Sequence, residues 1–322
     1  MRSFVNAALC AAAVTFAAPA VAQEQDYPSR EIRLVCGFVA GSGADVIHRY
    51  FAEKLKVLTG KPVIVENKPG ASGNLAHSYA AKAKPDGYTV YPVGGTALAA
   101  SQYLFKNPPV DPLKDFEPLT ALIRQPWVLV VDAKSPHKTL PELTAYLKEK
   151  KDKASYSTAT TTGIITGELY KSIAGLETVQ VNYKTIGDSL NDLLSGSIDF
   201  AMADAAFALG QQKQGKVRIL AISTGQRVKA MGDVPTMAEG GVPGIDVTVW
   251  WAVQLPAGTP KPIADKLQAW FTEILNMPET EQFLANIGTD VFKTTPAQTR
   301  ALLEDEIRRW GAYVKLAKID PS

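Results

Sequence analysis

The sequence predicts an α/β protein of two lobes. Three observations carry this reading. Strand-like apolar runs alternate with amphipathic helical patterns along most of the chain, the grammar of parallel-sheet architecture. Residues 126–247 hold enough strands and helices for a core of their own. The helical patterns beyond Trp250-Trp251 form no complete domain alone, so the chain is expected to return to its first domain after about 248. Two crossings between two α/β lobes give a hinge and a cleft.

The elements follow in order. A β-branched run over 32–38 feeds Ala40-Gly41-Ser42-Gly43-Ala44-Asp45, and a helix is predicted over 44–59. A strand over 62–66 leads through Lys68-Pro69-Gly70-Ala71-Ser72-Gly73 to a helix over 74–83. Pro85-Asp86-Gly87 is a turn, and a third strand over 88–93 ends in Gly94-Gly95-Thr96. The Pro- and Asp-rich stretch 106–118 reads as a loop, and Trp127 to Val131 as a strongly apolar strand. Thr139-Leu140-Pro141-Glu142 starts a helix with a cap, a first-turn proline and an acid. Further strands are expected over 154–157, 178–182, 198–203 and 217–223. Further helices are expected over 164–174, 185–196, 205–213, 260–276, 278–287 and 296–317.

Residues 1–22 read as an export leader, with Arg2 before an apolar run and Ala20-Val21-Ala22 as a small-x-small cleavage site. A periplasmic protein cleaved after Ala22 is expected. Loss of Arg2 with the leader lowers a formal charge of +2 to +1, which gives no basis for nucleic-acid binding. One cysteine, Cys36, follows the leader, so no disulfide forms within the mature chain. It reads as a small buried apolar residue.

Three turns rich in glycine or hydroxyls each feed a helix start: 40–45, 68–73 and Ser157 to Gly163. Unpaired N–H groups at such points favour a small anion. Asp45, in the first turn of a helix, reads equally as a cap and as a ligand contact. Asp204 ends a strand, where a parallel sheet lines its crevice. Trp250 and Trp251 alternate, so one of them faces the cleft. Arg124 could meet a carboxylate, but a solvated loop arginine is the favoured reading.

Other chemistries have less support. Gly41-x-Gly43 with Glu66 partly matches a dinucleotide fingerprint, but Val46 stands at the third glycine position. No G-x-S-x-G elbow occurs. His48, His77 and His137 are isolated and read as surface or packing histidines. No catalysis, cofactor or metal is expected.

Taken together, several segments resemble the Bug family of periplasmic solute-binding proteins, the receptors of tripartite tricarboxylate transporters. They are Phe38 to Asp45, Val65 to Asn74, Pro85 to Thr89, Val181 to Lys184, Leu194 to Asp199, Asp233 to Thr236 and Leu255 to Pro260. The resemblance implies a two-lobed type II periplasmic binding fold with two crossing strands and a ligand cleft. Lobe one would be 23–125 plus 249–322, and lobe two 126–248. It also implies a carboxylate ligand held by Gly41, Ser42, Gly43 and Asp45, by Ser72 and Gly73, by Thr96, by Thr158 and Thr160, Thr161 and Thr162, and by Asp204. No cofactor is implied, and the expected partners are membrane transporter subunits, with the receptor a monomer. A ligand-sensing component of a membrane signalling system would use the same pocket. Two departures bear on the ligand. Ala40-Gly41-Ser42 replaces the usual P-G-G, and the stretch before Gly167-Glu168-Leu169 is shorter, with Ile164 near the position of a histidine.

Overall fold

The computed structural model describes residues 27–316 and 321. The expected leader and its cleavage point lie outside the described residues. In chain order the elements are β1 (Ile32–Cys36), α1 (Gly43–Thr59), β2 (Val63–Asn67), α2 (Asn74–Ala81), β3 (Thr89–Gly94) and α3 (Gly95–Leu104). A long strand, β4 (Phe116–Asp132), follows. Then come α4 (Leu140–Lys150), β5 (Ser155–Thr158), α5 (Thr161–Ala174), β6 (Val179–Asn182), α6 (Leu190–Leu194), β7 (Phe200–Asp204), α7 (Ala205–Lys213) and β8 (Val217–Ile222). The chain closes with β9 (Thr248–Pro256), α8 (Lys261–Leu275), α9 (Pro278–Asn286), β10 (Asp290–Val291) and α10 (Pro296–Leu316).

These ends have local causes. Ser42 caps α1, its hydroxyl accepting the Asp45 N–H, and Gly60 closes that helix in the left-handed region. Thr139 caps α4 ahead of a proline in its first turn. The apolar stripe of α1, Ile47, Phe51, Ala52 and Leu55, is buried.

The sheet is mixed. Its strand order is β2-β1-β3-β9-β4-β7-β5-β6, and β8 and β10 also pair with β4. β1 is parallel to β2 and to β3, and β5 is parallel to β6 and to β7. β9 and β4 run antiparallel between these two sets.

β4 changes partners along its length. Residues 116–126 pair with β9, and residues 127–132 pair with β7 and β8. One strand thus belongs to both halves of the molecule, and the fold is two-lobed. Burial anchors the strand: Val128, Leu129 and Val130 are fully buried, each contributing about 1.5–3 kcal/mol relative to exposure. Just past the change of partners, the Ser223 hydroxyl accepts the Trp127 N–H at 2.9 Å and donates to the Val247 carbonyl at 2.5 Å. The Ser223 N–H also reaches the Trp127 carbonyl, and the Val247 N–H the Ser223 carbonyl. Both crossing segments are fastened to one serine.

Four expectations change. The sequence reading has no helix at α3, where Gly94-Gly95-Thr96 reads as the end of the third strand. β4 begins at Phe116, inside the expected loop, and absorbs Pro118 and Pro126 with register irregularities near Pro118 and Ala121. α5 starts at Thr161, earlier than 164, because Thr160 caps it. The expected helix over 185–196 is a 3₁₀ turn (Ile186–Ser189) followed by the short α6.

Candidate functional site

Strand direction sets the site. β3 ends at Gly94, opposite Trp251 of β9, and Trp251 lies opposite Ile123 of β4. From the other half, β7 ends at Asp204, opposite Trp127 of β4. The carboxyl ends of the two parallel sets therefore point at one another. Ile123 to Trp127 is four residues of strand, about 13 Å. Ile123, Gln125 and Trp127 share a face with Val249 and Trp251.

One rim carries the starts of α1, α2 and α3. Here Asp45 is buried. Its carboxylate accepts Arg49 Nε at 2.7 Å, Asn67 Nδ2 at 2.8 Å and the Gly41 N–H at 2.8 Å. The Arg49 guanidinium, then Asn67 and the Gly41 N–H, hold its carboxyl down at about 2 against the opposing effect of burial. Asp45, read equally as a cap and as a ligand contact, holds these protein partners and braces the first loop. Ser42 and Gly43 begin α1, with Gly43 exposed. Ser72 and Gly73 lie in a 3₁₀ turn (Ala71–Gly73) directly before α2. Thr96 is buried in the first turn of α3.

The other rim carries the starts of α5 and α7. Thr158 ends β5, buried, and its hydroxyl donates to the Thr160 carbonyl at 3.4 Å. The Thr160 hydroxyl accepts the Gly163 N–H at 3.1 Å, leaving Thr161 and Thr162 in the first turn of α5. Gly163 permits a close approach: a Cβ there would lie 2.0 Å from Thr158 Oγ1 and 3.1 Å from Trp127 Nε1. Asp204 Oδ1 accepts the Phe207 N–H at 2.8 Å and caps α7. Burial pushes the Asp204 carboxyl up, against the helix N–H groups that favour its charge.

The tryptophan pair divides cleanly. Trp251 stacks on Phe38 of the first loop, with centroids 5.9 Å apart, and meets His48 edge-on at 5.4 Å. Trp250 turns the other way and donates to Glu306 of α10 at 3.3 Å. Its ring covers Gly95, where a Cβ would meet it at 2.1 Å. Trp251 is thus the member beside the first loop. Arg124 is a half-buried strand residue, not a loop residue, and shares the face of Trp250. Its guanidinium lies 3.9 Å from Asp290.

The histidines pack. His48 is buried between the Ala44 and Pro92 carbonyls, and His77 pairs with the Tyr91 hydroxyl at 2.6 Å. Glu66, weighed as a ribose ligand, pairs with Lys68 at 2.8 Å and accepts the Tyr79 hydroxyl. Cys36 is free and buried. A concavity of about 510 Å³ lies by Arg30, Arg33, Lys82 and Lys84, and one of about 260 Å³ by Arg124, Trp250, Glu306 and Arg309. Neither is lined by an expected ligand contact. Among the described residues, no group of three or more His, Cys, Asp or Glu could hold a metal ion, and no helix is long and apolar enough to cross a membrane.

Sequence reasoning missed Trp127, whose indole reaches the start of α5. It begins an apolar run and reads as core; only the pairing with Asp204 and the contact with Gly163 reveal its place.

Two lobes, two crossing strands and facing helix starts define a solute-binding protein of the periplasmic type. The family described as "Tripartite tricarboxylate transporter family receptor" matches residues 47–319. The chain belongs to this family, that of the Bug proteins. It is 32% identical over 302 residues to a UPF0065 protein of Bordetella bronchiseptica, covering 93% of this chain and 89% of that one. Among solved structures it is similar to R. palustris Rpa4515 with adipate, at 30% identity and a TM-score of 0.81, covering 92% of this chain and 100% of that one. It is also similar to MatC from Rhodopseudomonas palustris with bound malate, at 28% identity and a TM-score of 0.74, covering 89% and 100%.

Proposed function

We propose that this chain is an exported, periplasmic receptor that captures a small organic acid between its lobes and delivers it to the membrane subunits of a tripartite transporter. Lobe one is 23–125 plus 249–322, and lobe two is 126–248. The observation that carries this reading is the facing of two sets of strand ends across about four residues of crossing strand. Helix starts at both rims present N–H groups and hydroxyls to a carboxylate. The adipate and malate bound to the two similar structures support the ligand class.

The contacts proposed are the backbone of Gly41, Ser42, Gly43, Ser72 and Gly73 and the hydroxyl of Thr96 on lobe one. Thr158, Thr160, Thr161, Thr162 and Asp204 serve on lobe two. Asp45 positions the first loop. No step is catalytic, and the receptor acts as a monomer. A thermal-shift screen of aliphatic and aromatic mono- and dicarboxylates tests the reading. A ligand at 100 times its dissociation constant adds about 2.7 kcal/mol to the folded state. A flat response across the screen would dismiss carboxylate capture.

A further inference from the structure

We propose that the lobe-two end of the site takes a neutral hydroxyl of the ligand, held between the Trp127 indole N–H and the Asp204 carboxylate. The ligand would then be a hydroxy acid with its carboxylate on lobe one. This rests on the capture of a carboxylate proposed above.

Three observations meet at this point. Trp127 is buried, and its Nε1, itself buried, has no hydrogen-bond partner within the protein. That donor lies against the first turn of α5, as the 3.1 Å approach to a Cβ at Gly163 shows. A buried donor without a partner is costly, and an oxygen acceptor from a ligand relieves the cost.

Asp204 stands directly opposite Trp127 in register, on the same face of the sheet. Its Oδ1 is taken by the Phe207 N–H. An ionised carboxylate only accepts, so what it meets must donate. A hydroxyl both accepts from the indole and donates to the carboxylate. A second ionised carboxylate accepts from the indole but meets Asp204 well only where Asp204 is protonated.

Charge points the same way. Residues 155–166 and 200–207 contain no lysine, arginine or histidine. An ionised group placed there would face Asp204 with no cation from these segments. Burial already disfavours the charged form of Asp204, and a second anion would add to that cost. Lys184, exposed just past β6, is two strands away from β7 in the sheet.

Calorimetry at neutral pH with hexanoate, ω-hydroxyhexanoate and adipate tests this on the full mature chain. The wild type should bind ω-hydroxyhexanoate about tenfold more tightly than the other two. Trp127→Phe removes the N–H and should bring the hydroxy acid to the level of hexanoate. Asp204→Asn keeps the cap of α7, because asparagine caps as well as aspartate. It should weaken the hydroxy acid and strengthen adipate. This second variant keeps the test decisive if Trp127→Phe melts early. Hexanoate binding as tightly as the hydroxy acid would leave carboxylate capture standing and overturn the hydroxyl assignment. Adipate binding most tightly, with the preference lost in Lys184→Ala, would overturn it too and place a second carboxylate on Lys184. No binding by these three or by any acid in the wider screen would remove the capture reading, and the hydroxyl assignment with it.

Discussion

Asp45 is where a single side chain governs the first loop. Its carboxylate ties the Gly41 N–H, Arg49 and Asn67 together. Asp45→Asn should destabilise the fold by about 1.5–3 kcal/mol, the range for a hydrogen bond to a charged group, in urea denaturation. The folded-state carboxyl sits at about 2, below its ordinary 3.8. The unfolded chain therefore binds more protons in that window, and stability rises with pH across it. The contribution should be complete above about pH 4 and fade as pH falls through about 2, so wild type and Asp45→Asn should converge in acid. Thr161, in the first turn of α5, is a proposed ligand contact. Thr161→Val should weaken carboxylate binding by about 1 kcal/mol in calorimetry with little change in melting temperature. An unchanged affinity would remove Thr161 from the contact set. Asp45 was legible as a first-turn acid, but its partner Asn67 stands 22 residues away, beyond the reach of local pattern. Thr158 to Thr162 were legible as a hydroxyl run. Their assignment to loop or helix was not, since Thr160 decides it through one cap.

At the level of elements, the sequence speaks clearly where periodicity and punctuation agree. β1, α1 and the Pro-marked α4 fall within a few residues of expectation. α3 was hidden because Gly94-Gly95 carries turn chemistry, yet tertiary packing needs a glycine there for another reason. The Trp250 ring lies over Gly95. Gly95→Ala should therefore destabilise the protein despite raising helix propensity, by about 1–3 kcal/mol as overpacking does. Differential scanning calorimetry checks this, and a raised melting temperature would contradict it. The first half of β4 was hidden by Pro118 and Pro126, residues that argue against a central strand. Irregular register lets Pro118 sit there. Long-range pairing, which leaves no local mark, made a strand from a stretch that looked like a loop.

The whole molecule should close on its ligand. A ligand that touches both rims is held better when they approach, so binding shifts the population toward the closed form. The radius of gyration from small-angle scattering should shrink when a confirmed ligand is added. An unchanged radius, with contacts confined to 41–96, would mean a one-lobed site. The expectation of two α/β halves came from counting strands and helices on either side of the crossings, which needs no side-chain detail. The aim of Trp251 and Trp127 does need it.

Ser223 bears on how that closing can occur. Because Trp127 and Val247 are clamped to the same hydroxyl, the two links cannot flex independently as they enter the second half. The bending expected near Gln125-Pro126 and Thr248-Val249 should then involve both strands together. The closing motion should then resemble a door on one pin more than a weight on two strings. A membrane partner would meet two shapes, open and shut, with no range of skewed orientations between them. Cutting the clamp with Ser223→Ala should turn that two-position device into a compliant one, seen as a broader inter-lobe distance distribution between spin labels placed on either side.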